Sequence, residues 1–222
     1  MTRGYNQHCT LAHALDQVGE RWTLLIIREL LPGPRRYTDL ARGLVTVPTN
    51  VLASRLRDLE GLDLVTRRRL PAPAEQVVVY ELTEEGAALA DVIAALSRWG
   101  LRSLPPTTDG RAFRARWLML VMEARFDPDA AAGVDESYQL QVEGDEPVHF
   151  AVRDGQGEAR PGAVEDAAVS VSADAETLVA LANGAVSIPD AIGRGAQIEG
   201  APDAIRRMLA ILPPPTVRPA GR

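Results

Sequence analysis

The chain has 222 residues, of which 46% are apolar, 24% charged and 5% aromatic, a balance that fits a soluble globular protein and excludes disordered, collagenous and disulfide-scaffold classes. Two domains are expected at this length, and no run approaches the roughly 20 uninterrupted apolar residues of a bilayer span. The polar opening Met1–Cys9 lacks the apolar stretch of a signal peptide, and Cys9 has no second cysteine to pair with, so a reducing cytoplasm is the expected compartment. The net charge of −6 is unevenly spread: residues 1–110 hold 13 arginines against 13 acidic residues, residues 111–222 hold 11 against 17, and lysine is absent throughout.

Leu11, Leu15 and Val18 recur at near-helical spacing and lead into Trp22–Leu31, a second helix apolar on most sides and therefore buried. Pro32-Gly33-Pro34 ends it. Tyr37–Leu44 reads as a short helix with Tyr37, Leu40, Ala41 and Leu44 on one stripe, which makes Tyr37 a core residue rather than a base-stacking one. After a turn at Val45–Pro48, a helix over Thr49–Leu62 places Leu52, Leu56, Leu59 and Leu62 on one side and Thr49, Asn50, Ala53, Ser54 and Arg57 on the other. Two β-rich runs follow, Leu64–Leu70 and Val77–Leu82, joined by Pro71–Glu75 as a stiff projecting tip. Thr83 can cap the next helix, whose stripe is Leu89, Val92, Ile93, Leu96 and Trp99. Pro105-Pro106 breaks that helix and marks the expected domain boundary. Beyond it, a helix around Phe113–Phe126 precedes three strictly alternating strands, around Tyr138–Val142, Val148–Val152 and Val169–Val171. Helices at Asp174–Asn183, Ile188–Ile192 and Pro202–Leu212 follow, with a strand near Gln197–Glu199 among them.

Helix, helix, turn, helix and a two-stranded wing is the order of a winged helix-turn-helix. The exposed face of the fourth helix, with Thr49, Asn50, Ser54 and Arg57, carries hydroxyl, amide and guanidinium groups that match base edges in a major groove. Arg35 and Arg36 stand where they can hold the phosphate backbone. Arg67, Arg68 and Arg69 alternate along the first wing strand, so at least one or two point away from the core toward phosphate or minor groove. A plain solvated strand edge is the competing reading, and phosphate contact is favoured.

The stretches Cys9-Thr10-Leu11-Ala12 and Val18-Gly19-Glu20-Arg21-Trp22-Thr23-Leu24-Leu25-Ile26-Ile27-Arg28-Glu29-Leu30 resemble the opening of the HxlR family of bacterial regulators. Gly33-Pro34-Arg35-Arg36-Tyr37-Thr38-Asp39-Leu40, Asn50–Glu60 and Tyr80-Glu81-Leu82-Thr83 continue the resemblance in register across nearly all of residues 5–100. It implies a dimeric winged-helix transcription factor that binds operator DNA, with dimer contacts from the helices around Leu11–Val18 and Leu89–Trp99. Thr38 and Arg55 join the candidate DNA-binding residues on this basis. The chain departs from the family pattern at Thr10, where proline is usual, and at Pro48, where a Ser or Thr cap is usual.

Residues 113–212 are similar to sterol-carrier-like (SCP2-type) domains, in the three-strand run followed by Asp174-Ala175-Glu176-Thr177-Leu178, Leu181-Ala182-Asn183-Gly184 and Gly195-Ala196-Gln197-Ile198-Glu199-Gly200. The resemblance implies a sheet with helices over one face and an apolar tunnel that can hold a hydrophobic small molecule. Trp117, Val121, Phe150, Leu178, Leu181, Ile188, Ile192, Met208 and Leu212 are the candidate lining residues, though for any one of them plain core is the blander reading. The acidic excess of this half repels phosphate, which makes it a sensor rather than a reader of DNA.

The expected fold class is thus α+β: a winged helix-turn-helix domain at 1–104, a linker at 105–112, a mixed α/β sterol-carrier-like domain at 113–213 and a disordered tail at 214–222. The expected function is a DNA-binding regulator, a homodimer, whose second domain senses a hydrophobic ligand. The alternatives make that second domain a protein-docking or dimer-stabilising module, or a hydrophobic-ligand carrier. Cys9 is a candidate redox switch, but a buried small side chain near a dimer seam is the favoured reading. His8, Cys9 and His13 on one helical turn cannot close a tetrahedral shell, so no metal is expected. No catalytic constellation or phosphate loop survives inspection, so neither an enzyme nor a cofactor is expected.

Overall fold

The computed structural model describes residues 4–70 and 77–215. The expected wing tip at Pro71–Glu75 and residues 216–222 of the expected disordered tail lie outside them. Contacts divide the chain into two units, Met1–Ile93 and Ala94–Arg222.

The first unit opens with α1 (Thr10–Val18), α2 (Thr23–Leu30), α3 (Tyr37–Gly43) and α4 (Thr49–Gly61), followed by an antiparallel hairpin of β1 (Val65–Leu70) and β2 (Val77–Leu82), a short α5 (Glu84–Ala87) and the start of α6 (Ala90–Leu101). Its core is the convergence of the apolar stripes: Ile26, Ile27 and Leu30 of α2, Leu40 of α3, and Leu52, Leu56 and Leu59 of α4 are fully or almost fully buried. Glu29 is buried with them and accepts from the Arg28 guanidinium at 2.8 Å. Gly43 makes room for that carboxylate, since a Cβ there would stand 2.5 Å from Glu29 Oε2. Trp22 adopts the left-handed conformation at φ 81°, uncommon for a bulky residue, as the chain enters α2.

The wing is tied to the helices at both ends. Arg35 and Tyr80 exchange backbone hydrogen bonds of 2.9 and 2.7 Å, adding a bridge to the hairpin. Thr83 caps α5, as its position predicts, by accepting from the Gly86 amide at 3.0 Å, and its hydroxyl donates to the Asp63 carbonyl just beyond α4. Gly86 packs so closely that a Cβ would lie 1.9 Å from the Leu64 carbonyl oxygen.

The division between units falls inside α6, ahead of the Pro105-Pro106 break; Ile93 is its one buried residue. The segment expected as a linker is bonded into the second unit. The Thr108 amide donates to Glu176 at 3.0 Å, as does its hydroxyl, and the Pro106 carbonyl accepts from Asn183 at 3.3 Å.

The second unit is a five-stranded sheet in the order β5-β4-β3-β6-β7, from β3 (Glu136–Val142), β4 (Val148–Arg153), β5 (Gln156–Pro161), β6 (Val169–Ala173) and β7 (Gln197–Gly200). All neighbours are antiparallel except β3 and β6. Period-2 alternation sends Tyr138, Val148, Phe150, Val152, Val169 and Val171 into one core together with residues of α7 (Trp117–Arg125), α8 (Ala175–Ala182), α9 (Ile188–Gly193) and α10 (Pro202–Ile211). Asp174 caps α8 by accepting from the Thr177 amide at 2.9 Å, and Ser187 with Asp190 forms a capping box at α9. Strand β5 is absent from the sequence expectation. Its residues are polar and it lies at a sheet edge, with Ala159 alone buried.

Candidate functional site

On α4 the two faces separate as the spacing predicts. Leu52, Leu56 and Leu59 are buried, while Thr49, Asn50 and Arg57 are exposed and Ser54 is half-buried. Arg57 lies along its own helix, Nε donating to the Ala53 carbonyl at 3.2 Å. Tyr37 is half-buried rather than core, because its hydroxyl donates to the Thr49 carbonyl at 2.9 Å and so fixes the start of α4 against α3.

Arg55 is placed elsewhere. Its guanidinium is half-buried and clamped by Asp58 at 2.7 Å and Glu20 at 3.1 Å. This removes it from the exposed face: the sequence pattern showed its charge but not the carboxylates that turn it inward. Arg36 and Thr38 are exposed at the start of α3 and Arg35 is half-buried beside them.

All three wing arginines are exposed. Arg67 pairs with Glu60 at 3.0 Å and Arg68 takes both carboxylate oxygens of Glu81 at 2.9 to 3.0 Å, which raises the Arg68 pKa further above its ordinary value. Among the described residues Arg35, Arg36 and Arg57 form no ion pair, so of the predicted set they are the cations held by no carboxylate. Cys9 is exposed in the single chain, just ahead of α1. Among the described residues no cluster of His, Cys, Asp and Glu is arranged to hold a metal.

The second unit contains a cavity of about 80 Å³ between the sheet and helices α7, α8 and α10. Of the predicted lining, Val121, Leu178, Leu181, Ile188, Met208 and Leu212 meet there. Three predicted residues do not. Phe150 is fully buried in the adjoining core, its ring 5.4 Å from that of Phe126 and directly over Gly157. Trp117 stands edge-on to Phe113 at 6.3 Å, and Ile192 is exposed on α9. Sequence reasoning missed Tyr138 and Arg125, the polar side chains of the lining. Burial and the Glu136 acceptor push the Tyr138 phenol up, and the Arg207 guanidinium holds Glu136 below the usual carboxylate range. Arg125 offers a findable signal, since it follows Leu118 and Met122 on the apolar stripe of α7.

The first unit has the order and pairing of the winged helix-turn-helix class, with a polar face on the helix that such proteins turn toward DNA. The chain belongs to the HxlR-like helix-turn-helix family, which it matches over residues 17–108, and residues 120–196 match the SCP-2 sterol transfer family. It is 45% identical over 96 residues to an HTH-type transcriptional regulator of Mycobacterium tuberculosis (strain CDC 1551 / Oshkosh), a match covering 43% of this chain and 60% of that one. The chain therefore spans less than two thirds of that relative's length. The HTH-type transcriptional regulator YodB of Bacillus subtilis is 36% identical over 86 residues, covering 39% of this chain and 76% of YodB. The reduced form of YodB is similar in structure at a TM-score of 0.39 and 33% identity, covering 45% of this chain and 98% of that one.

Proposed function

We propose that this protein is a DNA-binding transcriptional regulator, a cytoplasmic homodimer, whose second unit binds a hydrophobic small molecule that alters operator affinity. The observation that carries the reading is the exposed α4 face of Thr49, Asn50, Ser54 and Arg57, positioned by the Tyr37 hydroxyl and flanked by the unpaired Arg35 and Arg36. Thr38 contributes a hydroxyl from α3, and Arg67, Arg68 and Arg69 extend the basic surface along the wing. Homodimer formation is supported by apolar side chains left in the open, Leu11 (66% exposed) on α1 and Trp99 (68%) on α6. A second copy of the chain, as the family's dimeric members provide, is the natural cover for them.

Ligand control follows from linkage: a molecule that binds one dimer geometry better shifts the population competent for DNA. The cavity is smaller than the engineered space of about 150 Å³ that holds benzene, so any larger ligand must part the helices around it. The small volume also favours a second reading, in which this unit docks a protein or stabilises the dimer. Footprinting on DNA upstream of the gene and its chromosomal neighbours, with and without lipophilic extracts, tests the proposal. A protected site whose affinity shifts with an extract component supports it. The absence of any protected site refutes the DNA-binding role, and an affinity indifferent to every apolar compound leaves the docking reading in its place.

A further inference from the structure

The cavity wall of the second unit is aliphatic except at Tyr138 and Arg125. The Tyr138 proton is committed, donated to Glu136 at 2.9 Å. Arg125 is different. It stands in the last turn of α7, where Nη1 donates to the Ala182 carbonyl at 2.7 Å and Nη2 to Asn183 Oδ1 at 2.5 Å. Both acceptors are uncharged and lie at the C-terminal end of α8. Its Nε is buried and donates to nothing among the described residues. Among the described residues no carboxylate pairs with it, and desolvation pulls the pKa down to about 10, which still leaves the group cationic at neutral pH.

Closing the end of α8 explains two of the guanidinium's donors, and the partial negative charge of that helix end favours a cation there. It does not explain the third, a buried N–H left over beside an aliphatic wall, which costs free energy until an acceptor arrives. We propose that Arg125 makes this cavity selective for apolar molecules with a carboxylate head, the guanidinium pairing with the carboxylate while the aliphatic wall takes the tail. A monoanion matches one cation; a dianionic phosphate would leave surplus negative charge against hydrocarbon. The inference rests on the reading of this unit as a ligand-binding one.

Calorimetry on the full chain with octanoate, 1-octanol and octyl phosphate tests it. The expected result is octanoate tighter than 1-octanol by about tenfold, as suits a desolvated charge-assisted pair. Arg125→Met abolishes that preference while leaving 1-octanol within about threefold of its original affinity, and Arg125→Lys keeps the preference in the same direction. If the methionine variant does not fold, the three-ligand comparison on the unaltered chain still decides. Octanol equal to or tighter than octanoate overturns the proposal while the apolar-ligand reading stands. Octyl phosphate tighter than octanoate overturns the choice of carboxylate. Binding of none of the three overturns the ligand-binding reading and this inference with it.

Discussion

The wing and the cavity wall carry the same charged group under opposite solvation. Arg67 and Arg68 are exposed on β1 and rest against Glu60 and Glu81; Arg125 is largely enclosed, with neutral acceptors only. Exposed pairs of the first kind contribute only about 0 to 1 kcal/mol, so a DNA phosphate can replace the carboxylate at little cost. The second kind has no carboxylate to give up: two of its N–H groups are held by the end of α8, and its buried Nε is left over. A surface arginine therefore tells little about specificity until its partners are known, whereas an enclosed one without a counter-charge already specifies the sign of its ligand.

The largest expected effect sharpens the first half of this contrast. Arg57, which has no ion pair to break, should lose about 1 to 3 kcal/mol of operator affinity as Arg57→Ala, with relaxed preference at one base position, read by mobility shift on a panel of single-base operator variants. The next concerns Arg125, whose pKa burial pulls down to about 10 from the ordinary arginine range. If the charged form binds carboxylate, octanoate affinity should hold up to about pH 10, then fall by up to tenfold per pH unit until the higher pKa of the complex is reached and level off beyond it, followed by calorimetry. For the unliganded protein the sign is reversed. Folding is opposed by this group while it is charged, and that penalty is relieved as pH rises above about 10.

Smaller effects test the wing. Glu81→Gln releases Arg68 and should strengthen binding to any duplex by a few fold, steepening the salt dependence by about one unit of slope. An unchanged slope together with unchanged affinity would show that releasing Arg68 from Glu81 adds no phosphate contact. Smallest of all, Arg55→Ala should lower the stability of the first unit by no more than about 1 kcal/mol in thermal unfolding and leave operator preference intact. A lost base preference would return Arg55 to the reading surface.

Much of the architecture was legible because both units rest on strong periodicities. The 3-4 spacing of Leu52, Leu56 and Leu59 and the alternation of Val148, Phe150 and Val152 each declare a buried side. Strand β5 was not legible, since Gln156–Pro161 has a single inward apolar residue and is held by pairing to β4. The site was legible as residue types and not as partnerships. Arg55, Arg67 and Arg68 look alike in sequence, and what distinguishes them is Glu20, Glu60 and Glu81, brought in by the fold. Phe150 and Val121 are equally apolar, and it is the fold that packs the first against Phe126 and Gly157 and sets the second in the cavity wall. Arg125 was overlooked because a charge within an apolar helix reads as an interruption of the stripe, when its place relative to Leu118 and Met122 keeps it on the stripe.

The modest β5 has a further consequence. It forms one rim of the sheet with Glu158 and Arg160 alternating along it and Pro161, which has no N–H to offer, at its end. At the other rim β7 is only four residues long and gives way at once to α10, which begins with Pro202. Short, charged and proline-ended borders are poor templates for a strand from another chain. A sheet bordered in this way is guarded against adding a strand from another chain, and so against seeding a fibril.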